Sequence, residues 1–319
     1  MNRLEVDRLE VTVGPAHEPL PAITDVSFSV AAGGSLAIIG ESGSGKSLTL
    51  RALMDMMPRG TRVAGGSIRY VTDDGTAVTP ALARGHGMSM VFQDATAALN
   101  PTRRVGDQIA EGIMLRSGAT RREARAEAIS LMEEVGIRDP AVAARGWPHQ
   151  FSGGMRQRVM IAMALSTRPN LLLCDEPTSA LDVTVQEQIV RLLIDLRERH
   201  DLTIVFVTHD LAVASQLCDS VAVMYAGQLI EFGSLADVFE SPSHPYTRAL
   251  MDAIPQLGAA GDLATIPGQP PTPGRFPTGC RFAPRCERAT DACTGYRYAA
   301  PTPSAPASCL FPLSDPVQR

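Results

Sequence analysis

No apolar run in this chain of 319 residues approaches the roughly 18–20 residues that a membrane-spanning helix needs, so no segment is expected to cross a bilayer. The start also lacks a basic stretch leading into an apolar one. Arg3, Glu5, Asp7, Arg8 and Glu10 are interleaved with apolar residues, so no secretory leader is read and the chain is expected to stay in the cytoplasm. An excess of positive charge is missing too. With 29 Lys and Arg against 34 Asp and Glu the net charge is −5, which argues against attachment to nucleic acid by bulk electrostatics. No internal repeat is visible, which excludes a solenoid or propeller. What remains is an ordinary globular composition, 45% hydrophobic and 20% charged, long enough for one α/β domain and an appendage.

The 6 cysteines are unevenly placed. Cys174 and Cys218 sit in apolar segments, where cysteine behaves as a small hydrophobe, whereas Cys280, Cys286, Cys293 and Cys309 crowd the tail. In a reducing compartment such a group suggests metal before disulfide.

Alternating apolar residues at Val11 and Val13, and at Val26, Phe28 and Val30, read as strands, as does the run Leu36 to Ile39. A glycine-rich loop at 40–47 leads into a helical stretch that Pro58 and Gly60 end. Residues 95–165, rich in Ala, Arg, Glu and Met, read as a helical insertion. Leu171 to Glu176 is a strand ending in two acids, followed by Val185, Ile189, Leu192, Leu193 and Leu196 at helical spacing. Thr203 to Thr208 is a further strand, and the segments around Ala226-Gly227 form a hairpin. Strands alternating with helices imply an α/β fold with a mainly parallel sheet. Prolines 255, 267, 270, 271, 273 and 277 mark a boundary, giving a domain over 1–254 and a linker with a cysteine-rich extension over 255–319.

The chemistry is concentrated in Gly40-Glu41-Ser42-Gly43-Ser44-Gly45-Lys46-Ser47, a complete GxxxxGKS phosphate loop between a strand and a helix. Its backbone N–H groups curl around phosphate oxygens, Lys46 reaches the β/γ-phosphates, and the Ser47 hydroxyl ligates Mg²⁺. Asp175 and Glu176 emerge where an α/β sheet binds ligands, Asp175 toward Mg²⁺ and Glu176 as base for an attacking water. Phe151-Ser152-Gly153-Gly154-Met155-Arg156-Gln157-Arg158 precedes them.

That block resembles the signature motif of ABC ATPases, and Gln93, Ser179-Ala180-Leu181-Asp182 and Thr208-His209-Asp210 complete the family pattern in order. The resemblance implies ATP and Mg²⁺ as ligands and a mainly parallel core sheet with an antiparallel β subdomain and an inserted helical subdomain. It also implies that Ser152, Gly153, Gly154 and Gln157 bind the γ-phosphate of ATP held by a second ATPase subunit. Gln93 would sense that phosphate and Mg²⁺, and His209 would orient the catalytic site. Leu99-Asn100-Pro101, Pro148-His149-Gln150, His244-Pro245-Tyr246-Thr247 and Ile266-Pro267-Gly268 narrow the resemblance to the oligopeptide/dipeptide/nickel importer ATPases. The implied partners are two integral membrane permeases, an extracytoplasmic substrate-binding protein and a second ATPase, with the chain peripheral on the cytoplasmic face. A soluble ABC protein acting on DNA or ribosomes would usually carry two cassettes or a coiled-coil insertion, and an exporter subunit is not expected to carry this tail.

Two positions depart from the pattern. Where members place an aromatic residue to stack on adenine this chain has Val13, which leaves His17 as a candidate. In the tail, four thiols with no histidine after His244 suit either Zn²⁺ or an iron–sulfur cluster, and the spacing lacks the CxxC knuckles of zinc ribbons. It resembles the tail that in some importer ATPases holds a [4Fe–4S] cluster, which would make Cys280, Cys286, Cys293 and Cys309 its ligands, with Zn²⁺ or unmetallated thiols as alternatives. Arg281, Arg285 and Arg288 are expected to lower the thiol pKa values. Leu310 stands where members often have His.

Overall fold

The computed structural model describes residues 2–85, 87–253, 265–302 and 305–313. The domain boundary expected near residue 255 lies outside the described residues. The strands are β1 (Asn2–Val13), β2 (Leu20–Ala31), β3 (Ser35–Ile39), β4 (Thr61–Val71), β5 (Ala77–Val78), β6 (Met88–Val91), β7 (Leu171–Asp175), β8 (Thr203–Val207), β9 (Ser220–Tyr225) and β10 (Gln228–Ser234). The helices are α1 (Lys46–Leu53), α2 (Pro80–Ala83), α3 (Ala95–Ala98), α4 (Val105–Ser117), α5 (Arg121–Glu134), α6 (Pro140–Ala143), α7 (Gly153–Leu165), α8 (Val183–His200), α9 (Leu211–Leu217), α10 (Leu235–Glu240) and α11 (Pro245–Asp252).

Two sheets carry the fold. A four-stranded antiparallel sheet runs β2-β1-β4-β5, and a six-stranded sheet runs β10-β9-β3-β8-β7-β6, parallel throughout except for the β9–β10 hairpin. Every residue of β3, β7 and β8 is buried. That is why they read as short unbroken apolar runs: a parallel strand is covered on both faces, so neither face calls for polar residues. Helices α3 to α7 occupy the stretch between β6 and β7, and α8 lays Ile189, Leu192, Leu193 and Leu196 against the core.

Strands β4, β5 and β6 were not legible in the sequence. Most of β4 is exposed and it contains Gly65-Gly66, so it shows no alternation, while β6 is a run of only four residues. The β9–β10 turn uses Ala226 (φ 47°) and Gly227 (φ 79°), the two positive φ values that a two-residue hairpin demands. A Cβ on Gly227 would lie 1.9 Å from the Ala22 carbonyl oxygen, so glycine is also needed for the close approach of β2.

The tail packs back onto this body. Glu231 of β10 bridges to Ala307, and the Ser308 N–H donates to the Ile230 carbonyl at 2.8 Å, so the tail extends the sheet edge. Beside it lies a buried polar knot. The Glu231 carboxylate accepts the N–H groups of Ser243 (2.6 Å) and His244 (2.9 Å), and His244 Nδ1 accepts the Tyr246 N–H at 3.0 Å to cap α11. Burial pushes the His244 pKa down to about 3.

His244 therefore stays neutral in the fold at pH values where the unfolded chain, with an ordinary value near 6.5, takes up a proton. The unfolded state binds more protons, and stability must fall as pH drops below about 6.5, at up to about 1.4 kcal/mol per pH unit. His244→Asn keeps an acceptor for the Tyr246 N–H but does not titrate. Thermal melts at pH 7.5 and pH 5 are expected to show a larger drop for the wild type than for this variant, by roughly 2 kcal/mol. Equal drops would refute the assignment.

Candidate functional site

The parallel register brings the C-terminal ends of β3, β7 and β8 to one edge, pairing Ile38 with Val207 and Asp175 with Val207. Residues 40–45 leave β3 there as a turn and pass into α1, whose N-cap is Gly45 at φ 106°. Gly40 is obligatory at the strand exit: φ is 148°, and a Cβ would lie 2.1 Å from the Met224 carbonyl oxygen. Gly43, by contrast, has open space where its Cβ would be, so the loop is bare on the side that faces the cavity.

Lys46 is buried and its ammonium donates to the carbonyls of Gly40 (2.7 Å) and Glu41 (3.0 Å), so the loop closes around a positive charge. Burial lowers its pKa, against the pull of the carboxylates Glu176, Asp175 and Glu41. The Ser47 hydroxyl donates to Asp175 Oδ1 at 2.7 Å. Burial raises the Asp175 pKa, and the Ser47 hydrogen bond opposes the rise. A hydroxyl and a carboxylate this close on the rim of a loop rich in N–H groups are hard oxygen donors of the kind Mg²⁺ takes.

Glu176 follows at φ 43°, a left-handed conformation that costs of order 1–3 kcal/mol in a residue with a side chain. Its N–H donates to the Val207 carbonyl at 3.0 Å, which secures the turn and aims the carboxylate out of the sheet edge. Around Glu176 Oε2 stand Gln93 Nε2 at 3.4 Å and His209 Nδ1 at 3.3 Å, and Gln93 Nε2 also reaches Ser179 Oγ at 3.4 Å. Gln93 arrives from the end of β6, His209 from the end of β8. A cavity of about 380 Å³ opens here, lined by Ser42, Gly43, Gly45, Lys46, Ser47, Leu48, Gln93 and Glu176, and closed on its apolar side by Val13, Ala22 and Pro273.

The signature residues stand apart from that cavity. Ser152 caps α7, accepting the Met155 N–H at 3.3 Å, and is exposed, as is Gly153. Gly154 has a packing reason: a Cβ there would lie 2.5 Å from Val185 Cγ1 of α8. Gln157 and Ser44 are buried, with Gln157 Nε2 and Ser44 Oγ unpartnered. His17 is exposed and does not line the cavity, whereas Val13 does.

The tail corrects one expectation and leaves a second without support. The pKa values of Cys280, Cys286 and Cys309 are raised by burial, not lowered. Arg281 is bonded to the Ala226 carbonyl and Thr24 Oγ1 and Arg285 to the Glu41 carboxylate, and of the three arginines it is Arg288 whose charge acts on Cys286. Cys293 is close enough to act on the thiols of Cys280, Cys286 and Cys309, but among the described residues no group of three His, Cys, Asp or Glu side chains stands where it could hold a metal ion. The residues as placed do not fit a four-thiolate cluster or zinc site.

Removing the one ammonium inside the loop should weaken triphosphate binding directly. Lys46→Ala is expected to lose at least about ten-fold in ATP affinity by equilibrium titration, about 1.4 kcal/mol. Unchanged affinity would mean that the loop does not hold the phosphates.

Comparison with known proteins agrees with this geometry. Residues 23–179 match the family described as ABC transporter, and residues 230–293 match the oligopeptide/dipeptide transporter C-terminal region. The oligopeptide transport ATP-binding protein OppD of Salmonella typhimurium is 45% identical over 294 residues, covering 91% of this chain and 88% of its own length. The oligopeptide transport ATP-binding protein AppD of Bacillus subtilis is 43% identical over 295 residues, covering 91% and 90%. Among solved structures, the ATP-binding cassette MJ0796, a dimer in a post-hydrolysis state bound to ADP and Pi, superposes with a TM-score of 0.62 at 27% identity, over 73% of this chain and 98% of that one. A phosphate loop, two acids and a signature helix on this sheet, in a chain so alike to these relatives over nine-tenths of its length, make it a member of the family of ABC transporter ATP-binding subunits of the oligopeptide/dipeptide type.

Proposed function

We propose that the chain hydrolyses ATP to energise an ABC importer that takes up peptides or a related small solute. The observation that carries this reading is the convergence of Gln93 and His209 on the Glu176 carboxylate at the mouth of the Lys46 loop. Lys46 and the loop N–H groups would hold the β- and γ-phosphates. Ser47 and Asp175, with Gln93 beside them, would hold Mg²⁺, which neutralises charge as the terminal phosphoryl group leaves. Glu176, turned outward by its left-handed backbone, takes the proton of the attacking water, and His209 and Gln93 fix the carboxylate and the water. Transfer needs positioning and charge more than covalent chemistry, and this edge supplies both.

The placement of the signature supports a paired ATPase. Ser152, Gly153 and Gly154 present an exposed helix N-terminus away from their own phosphate loop, so the anion it suits belongs to a second subunit, a paralogue or another copy. The solved cassette to which the chain is similar is a dimer holding ADP and Pi. The names of OppD and AppD support oligopeptide transport as the work being driven. Among the described residues no helix is long and apolar enough to cross a membrane. The pair would therefore dock on two integral membrane permeases from the cytoplasmic face, and an extracytoplasmic binding protein would supply the solute. The [4Fe–4S] cluster or Zn²⁺ expected at the tail cysteines is carried by their spacing and the resemblance alone, and no step here runs through it.

Glu176→Gln removes the base and leaves the phosphate contacts intact. ATP affinity is expected to persist while turnover falls by two to four orders of magnitude, roughly the contribution of a positioned base. Sedimentation with Mg²⁺-ATP, alone and with the partner ATPase, is expected to show an accumulated pair. Wild-type turnover in this variant would remove Glu176 from the role, and an exclusively monomeric species would remove the paired site.

A further inference from the structure

The cysteine-bearing tail touches the phosphate loop directly at Glu41 and braces it indirectly through the β9–β10 turn. Arg285 lays its guanidinium on Glu41, the second residue of the loop, with Nη1 donating to Oε2 at 2.6 Å and Nη2 to Oε1 at 3.0 Å, across 244 positions of sequence. Its Nε donates to the Pro267 carbonyl at 2.6 Å, and its side chain is only 5% exposed. The Glu41 N–H is held in turn by Tyr246 Oη at 2.9 Å. Four residues earlier, Arg281 donates to the Ala226 carbonyl and to Thr24 Oγ1, and the neighbouring Gly227 N–H donates to the Ser44 carbonyl inside the loop at 2.9 Å. Phe282, between the two arginines, packs against both Tyr225 and Tyr246, each at 5.3 Å between ring centroids.

We propose that Arg285 is a positioning residue of the nucleotide site, holding Glu41 and with it the start of the phosphate loop, and withholding the Glu41 carboxylate from Lys46. The inference rests on the reading that this loop binds ATP. A carboxylate in a loop that must hold several phosphate charges is a liability. Free to turn, it would repel the triphosphate and compete with it for the Lys46 ammonium, whose carbonyl partners include that of Glu41 itself. A bidentate guanidinium fixes a carboxylate in one plane and cancels its charge, which a point charge on a flexible stem does less well. Arg285 thus acts on ATP binding through Glu41, without lining the cavity itself.

The test is titration of Mg²⁺-ATP into the full-length wild type, Lys46→Ala, Arg285→Met, Arg285→Lys, Glu41→Gln and the Glu41→Gln/Arg285→Met double variant, each checked by thermal melting. Arg285→Met is expected to weaken ATP binding about ten-fold, the order seen when one partner of a paired charge is removed, and Arg285→Lys by less. The decisive arm is the double variant. Removing the freed carboxylate should restore affinity to within about three-fold of the wild type, a non-additive result that a purely structural role for Arg285 would not give. Arg285→Met within two-fold of a wild type that binds ATP, or a double variant no tighter than Arg285→Met, overturns the proposal. Should Arg285→Met fail to fold, Arg285→Lys and a Glu41→Gln/Arg285→Lys double variant carry the same test, with a loss that Glu41→Gln repairs supporting the proposal and no loss, or an unrepaired one, overturning it. A wild type that binds no more ATP than Lys46→Ala overturns the ATP reading, and this proposal with it.

Discussion

The parallel pairing of β3, β8 and β7 is the constraint on which the site depends. Its register aligns Ile38, Val207 and Asp175, so the chain leaves all three strands at one level. Two backbone bonds carry the alignment past the last paired residues: the Thr208 N–H donates to the Ile38 carbonyl at 3.2 Å and the Glu176 N–H to the Val207 carbonyl at 3.0 Å. A slip of one residue would send every side chain of a strand to the opposite, differently packed face and move Asp175 off Ser47. The complete burial of these strands makes such a slip costly, which is how an apolar core far from any ligand fixes the distance between a hydroxyl and a carboxylate at 2.7 Å.

The electrostatics of the edge follow from the same burial. Lys46 is pushed toward its neutral form and so is Asp175, each by loss of water, and each is pulled back by the opposite charge of its neighbours. A ligand that brings both a divalent cation and a polyanion satisfies the two groups at once, whereas either ion alone would leave one of them worse off. Glu41 also acts on Lys46, and its carboxylate is at the same time paired with Arg285 of the tail.

How much of this was legible in the sequence depends on how far apart the participating residues lie. The phosphate loop is contiguous, so eight consecutive residues declare it. Asp175 and Glu176 are legible because an apolar run ending in two acids has few other readings beside such a loop. Gln93, His209 and Ser152 were placed by their order in a family pattern, since a single Gln, His or Ser says nothing by itself. Arg285 was read wrongly as a partner of thiols because its neighbour in sequence is Cys286, while its neighbour in space is Glu41, 244 positions away. Nothing local marks such a pair. Strand β4 stayed hidden for the opposite reason: it is paired through its backbone while most of its side chains are exposed, so its pattern carries no period.

The claim at the centre is that the loop, Ser47 and Asp175 together hold the metal–triphosphate pair. Calorimetric titration of ATP into the wild-type chain, with Mg²⁺ and with EDTA, measures this most directly. The expected result is one nucleotide per chain, bound at least about ten-fold more tightly with Mg²⁺, a difference that Ser47→Ala abolishes. An affinity indifferent to Mg²⁺, or a Mg²⁺ effect that survives the loss of the Ser47 hydroxyl, would contradict it.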